Sequence, residues 1–108
     1  MSKYKVIFHI DEMNKWKLLL GNVKNLLNGF NGDNVQVEVL ANSEAVKFYI
    51  SSEKIDDQIE SMKSLHDKGV YFVACNNSLI SNNIKRESLI DIVNIVPSGV
   101  VELVKKTK

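Results

Sequence analysis

An α/β fold with a mainly parallel sheet is predicted for this chain by three observations. Short β-prone apolar runs alternate with stretches of helical periodicity along the whole sequence. The first and third of these runs are nearly continuous in apolar residues, as parallel strands buried on both faces require. With 108 residues, 44% apolar and 25% charged, the chain matches one compact domain spanning residues 1–108.

The elements follow in order. Residues 3–10 hold Tyr4, Val6, Ile7, Phe8 and Ile10 and form the first strand. From Met13 the spacing changes, and Trp16, Leu19, Leu20, Val23, Leu26, Leu27 and Phe30 fall on one stripe of a long helix. Asn28-Gly29 and then Asn31-Gly32-Asp33-Asn34 supply stop and turn chemistry, since Gly and Asn accept the positive φ that ends a helix. Val35, Val37, Val39 and Leu40 make a second strand. Its alternation with Gln36 and Glu38 places it near an edge, one face toward solvent or a partner subunit.

Asn42 or Ser43 caps a short helix through Val46, Phe48 and Tyr49, which Ser51-Ser52 breaks. Ile55, Ile59, Met62 and Leu65 mark the next helix, which stops at Gly69 with His66 and Lys68 in its last turn. Val70 to Cys75 is the third strand, apolar throughout and therefore central. Ser78 to Asn83 is a short helix, Ile84 to Leu89 a further turn, and Ile90 to Val96 the fourth strand. Pro97-Ser98-Gly99 ends that strand, and Val100, Val101, Leu103 and Val104 open a closing helix. The order βαβααβαβα implies right-handed crossovers covered by helices.

Composition excludes several classes of function. A net charge of +1, from 14 Lys and Arg against 13 Asp and Glu, gives no general attraction to nucleic acid or anionic lipid. The tail Lys105-Lys106-Thr107-Lys108 reads as a solvated helix end. No apolar run reaches the roughly 18 residues of a membrane span, and the N-terminus lacks a secretory signal, so a cytoplasmic protein with no membrane partner is expected. One cysteine and two histidines, His9 and His66, make a poor zinc set, and no metal is expected. The glycine-rich phosphate loops of dinucleotide and nucleoside-triphosphate sites are missing, and no cofactor is expected.

In such a sheet, reactive groups gather at the carboxyl ends of the strands. The rim residues are His9 and Asp11, then Asn42, Ser43 and Glu44, then Cys75, Asn76 and Asn77, then Ser98 and Gly99. Cys75 is the strong nucleophile among them and the only cysteine. A thiol between a strand end and a helix start has backbone N–H groups aimed at it, which favour the thiolate. His9 is a candidate proton acceptor, while Asn76 and Asn77 are candidates to orient the sulfur or cap the helix. The same residues also have structural readings. Cys75 can be a small buried hydrophobe, His9 a local hydrogen-bonding group, Asp11 and Glu12 first-turn acids, and Ser98 and Gly99 a cap and a tight turn.

Three stretches together resemble the DsrE/DsrF-like family: His9-Ile10-Asp11-Glu12, the run from Gly69 through Cys75 to Leu79, and Val96-Pro97-Ser98-Gly99-Val100-Val101-Glu102-Leu103. The resemblance spans nearly the whole chain. It implies a three-layer α/β/α domain with a four- or five-stranded sheet, assembled into homo-oligomers such as trimers or hexamers. It also implies sulfur trafficking, with sulfane sulfur carried as a persulfide on Cys75 and exchanged with donor and acceptor proteins. Where relatives often carry a glycine-rich turn after the second strand, this chain has Asn42-Ser43-Glu44-Ala45-Val46. Two functions are therefore expected in competition: a sulfur carrier or sulfurtransferase accessory, and a non-catalytic oligomeric binding protein.

Overall fold

The structure, a computed structural model, describes residues 4–30, 35–50 and 57–106. Four strands, β1 (Tyr4–Ile10), β2 (Val35–Ala41), β3 (Tyr71–Cys75) and β4 (Val93–Val96), pair in parallel in the order β1-β2-β3-β4. The helices are α1 (Trp16–Phe30), α2 (Asp57–Asp67), α3 (Asn76–Ser81) and α4 (Gly99–Lys106). Short 3-10 segments at Met13–Lys15, Ser43–Tyr49 and Arg86–Ser88 complete the crossovers. Register runs Val6 to Val37, Val39 to Phe72 and Cys75 to Val96, which brings the strand ends to one rim.

Strand neighbours taken in sequence order through right-handed crossovers place every intervening helix on one face. That face holds the main core. Val37, Val39, Ala41, Phe72 and Ala74 meet Trp16, Leu20 and Val23 of α1, Met62 and Leu65 of α2, and Leu79 of α3. The Trp16 ring stacks on Phe48 at 4.4 Å, meets Tyr49 edge-on, and donates its indole N–H to the Ala45 carbonyl at 3.0 Å. The 3-10 segment is thereby clamped to the start of α1.

Residues alternate across a strand, so Glu38, Leu40, Tyr71, Val73 and Cys75 face the opposite way. Leu40, Val73 and Cys75 are buried yet lie outside the main core cluster. The helices occupy both sides of the sheet, and α4, which contributes nothing to the main core, is the cover on this second side.

Several sequence expectations are corrected. β2 lies between β1 and β3 rather than near an edge; its polar alternation marks a thinly covered face. The Asn28-Gly29 pair lies inside α1, which runs on to Phe30 so that its ring reaches Tyr4 at 5.2 Å. The capped short helix is a seven-residue 3-10 segment, and Asn42 precedes it without a side-chain cap bond. α3 starts at Asn76, two residues early, directly on the end of β3. β4 is shortened to four residues because Ile90 donates to the Tyr49 carbonyl at 2.9 Å and Val93 turns back onto Ile90. Four strands are present among the described residues. The turn at Asn31-Gly32-Asp33-Asn34, the break at Ser51-Ser52, Ile55, and the end of the tail at Thr107-Lys108 lie outside the described residues. Gly69 ends α2 at φ +101°, a conformation that side chains resist.

Candidate functional site

The rim is built by three junctions that tie the strand ends to one another. At the first, Asn42 leaves β2 and donates its backbone N–H to the Ile10 carbonyl at the end of β1, 3.0 Å away. The chain then turns sharply, with Ser43 held at φ +50°, a strained left-handed conformation for a non-glycine residue. That turn points the Ser43 N–H at Ser78 Oγ of α3, 2.7 Å away. Asn82 reinforces it by donating its side-chain amide to the Ser43 carbonyl at 3.2 Å and to the Ser78 carbonyl at 2.8 Å.

The second junction is the passage from β3 into α3. Cys75 is both the last residue of β3 and the residue before α3, and it is 5% exposed. The third is the passage from β4 into α4. Ser98 caps α4: its carbonyl accepts the Glu102 N–H at 3.0 Å and its hydroxyl lies 3.5 Å from the Val101 N. The first helical residue, Gly99, donates its N–H to Cys75 Sγ at 3.2 Å. Gly99 lets α4 start close to Asn42 and Cys75. A Cβ built there would stand 3.2 Å from Asn42 Nδ2 and 3.5 Å from the Cys75 Cβ.

Electrostatics at Sγ are a contest. Burial pushes the thiol pKa up, and hydrogen bonds from the Ser78 side chain and the backbone N–H groups of Ser78, Gly99 and Asn77 pull it down. The hydrogen bonds prevail, and the thiol lies below its ordinary value. Ser78 has a clear part in this. Its oxygen already accepts the Ser43 N–H, which leaves its own hydrogen to donate to the sulfur.

The other sequence candidates divide. His9 Nε2 lies 2.8 Å from Asn42 Oδ1. An amide oxygen can only accept, so Nε2 carries the hydrogen and is engaged on Asn42 rather than on the sulfur. Asn42 thus stands between His9 and Gly99. The Asn76 side chain accepts a long bond from the Arg86 guanidinium, 3.5 Å, and Asn77 contributes its backbone N–H. The Ser78 side chain was missed by sequence reasoning, and Ser43 was named on the rim without its bond to α3. The signal for Ser78 was its place three residues after Cys75 on a helix that starts at the sulfur; Ser43 carries none, because its role rests on a backbone angle. Among the described residues, no group of three His, Cys, Asp or Glu side chains is placed to hold a metal ion.

The fold and rim define a class: a small parallel α/β domain with one hydrogen-bonded thiol at the carboxyl ends of its strands. The chain belongs to the DsrE/DsrF-like family, whose model matches residues 6–108. Among solved structures it is similar to the protein of unknown function MTH1491 from Methanobacterium thermoautotrophicum, at 31% identity and a TM-score of 0.84, covering 97% of this chain and 92% of that one. It shares its fold with the ychN protein from E. coli, at 19% identity and a TM-score of 0.70, covering 99% of this chain and 92% of that one. No curated protein matches the chain.

Proposed function

We propose that this protein carries sulfane sulfur as a persulfide on Cys75. The observation that supports the reading is the set of N–H and O–H donors on Sγ, led by Gly99 at 3.2 Å, which favours the thiolate at a buried position. Only a thiolate attacks a sulfane sulfur efficiently, and the same donors serve an anionic persulfide once it has formed. The protomer has no second cysteine, so sulfur leaves only to a thiol of another molecule. The relay is therefore donor to Cys75 to acceptor, and Cys75 undergoes no internal disulfide step. His9 and Asn42 are positioning residues in this reading, and Asn77 contributes a backbone N–H to the sulfur. Such chemistry belongs in a reducing compartment such as the cytoplasm, where a lone thiol stays free. No described helix is long and apolar enough to cross a membrane.

The second reading, a non-catalytic homo-oligomeric binding protein, draws on the burial of Cys75 and on the apolar side chains left exposed on α4. Intact-mass measurement after incubation with a persulfide donor separates the two. Persulfide carriage predicts a one-sulfur adduct on the native protein that is absent from Cys75→Ser. Absence of an adduct from native protein that a denatured control does form would favour the binding protein.

A further inference from the structure

We infer that the outer edge of β1 docks against the same edge of a second copy of this chain, joining the two sheets into one across a two-fold axis. The inference is independent of sulfur carriage. Among the described residues, β1 is an edge strand that pairs with β2 alone. In a parallel ladder, a residue that turns its N–H and C=O to one neighbour alternates with a residue that turns them the other way. Ile10 lies opposite Ala41, and its carbonyl accepts the Asn42 N–H, so Ile10, Phe8 and Val6 serve β2. Lys5, Ile7 and His9 therefore direct their backbone N–H and C=O groups away from the sheet. Proline, a bulge or a covering segment commonly blunts such an edge. β1 is seven residues long in unbroken register and contains neither proline nor glycine. Extended backbone is found again at Glu12, at φ −119° and ψ 131°.

The direction of these groups limits the registers open to two identical edges, because outward residues must oppose outward residues. In an antiparallel pair with Ile7 on the axis, Lys5 faces the partner's His9 and no carboxylate. With Phe8 on the axis, Lys5 faces the partner's Asp11, Ile7 faces the partner's His9, and Val6 faces the partner's Ile10. Opposite charges directly across a ladder stabilise it. Symmetry makes the pair of Lys5 with the partner's Asp11 twice, and among the described residues neither side chain has an ion pair within the protomer. Charge therefore selects the register centred on Phe8.

The apolar surface beside the edge agrees with this occupant. Between β1 and α1 lies a hollow of about 290 Å³, lined by Phe8, Ile10, Leu18 and Leu19 among others, and Leu18 is 61% exposed. Phe8 packs on the α1 side of the sheet. A two-fold axis perpendicular to the sheet keeps both α1 helices on that side, so the partner's Phe8 and the partner's Val6 arrive where the hollow and Leu18 are open. The ladder supplies geometry, and burial of these side chains supplies affinity.

The test is sedimentation equilibrium of the full chain carrying Val101→Asp, which charges the exposed apolar face of α4 so that association through β1 is read by itself. The expected species is a dimer. Adding Asp11→Lys sets like charges across both ends of the ladder and should raise the dissociation constant about tenfold or more. Adding Lys5→Glu as well reverses every pair and should restore the dimer. Amide exchange on the same samples gives a second reading. The Ile7 and His9 N–H groups should exchange about tenfold or more slowly in the dimer than in the Asp11→Lys protein, while those of Val6 and Phe8, bonded within the protomer, exchange alike in both. A monomer with rapid exchange at Ile7 and His9 would overturn the inference. So would a dimer that Asp11→Lys leaves intact, or one that Asp11→Lys dissociates and Lys5→Glu does not restore.

Discussion

At Cys75 the cost of burying a charge opposes the hydrogen bonds that hold it, and the balance makes each donor individually measurable. Ser78→Ala removes the side-chain O–H that donates to Sγ. The thiol pKa of that variant should rise, read as slower alkylation at neutral pH. Because the folded thiol is acidified, its ionisation contributes stability that is fully present above the ordinary thiol pKa of about 8.5 and is lost as pH falls through the folded value. The stability difference between the native protein and Cys75→Ser should therefore grow from neutral pH toward about pH 8.5, in denaturant titrations across that window.

Tyr49 has the opposite sign. It is fully buried, with its hydroxyl 3.3 Å from the Val39 carbonyl. Burial, opposed by a hydrogen bond and aided by the Glu38 charge, pushes its pKa well up. Stability contributed by neutral Tyr49 is present below about pH 10 and is lost as pH rises from there toward the folded value. Tyr49→Phe should lower stability at neutral pH by about 0.5–1.5 kcal/mol and make unfolding less steep above about pH 10.

At the scale of elements, the 3-10 segment Ser43–Tyr49 links core to rim. Its far end is held by the Trp16 ring and indole N–H, and its near end by the bonds of Ser43 to α3. Trp16→Ala empties a wholly buried position and should cost about 3–5 kcal/mol in denaturant unfolding. The strands and the three longer helices were legible from the sequence because apolar periodicity is a local property: the Trp16 to Phe30 stripe needs nothing outside itself. The 3-10 segment was not, since Ala45, Val46 and Tyr49 are buried with a spacing that a short α-helix also satisfies. Nor was the position of β2. Glu38 is 9% exposed within an interior strand, and polar alternation alone does not distinguish a face under one helix from a face open to solvent.

For the whole molecule, the two sides of the sheet differ in cover, and the difference concerns assembly. Three helices bury one side; on the other, Tyr71 remains 47% exposed and α4 presents Val100, Val101 and Val104 at 69%, 49% and 62%. Such a patch favours burial against another chain, and we propose that it joins copies of this protein as a trimer or hexamer. Sedimentation equilibrium should give a mass several times that of the protomer, and Val101→Asp should shift it toward the protomer. A native protein that sediments as a monomer would remove this proposal.

The location of the candidate site was also legible at this scale, because parallel strands bring their carboxyl ends together wherever the strands are correctly assigned. Cys75, Asn42, Gly99 and Ser98 were named on that basis. Their pairing was not legible: that His9 bonds Asn42 rather than the sulfur, and that Ser78 does bond it, depends on a sharp turn at Ser43 and on an early start of α3.

The central claim is that the donors around Cys75 acidify its thiol, and the pH dependence of its alkylation rate in the native protein tests it most directly. The account predicts a rate that follows a pKa below about 8.5, with the midpoint moving upward in Ser78→Ala. A midpoint at or above about 8.5 that Ser78→Ala does not move would contradict it.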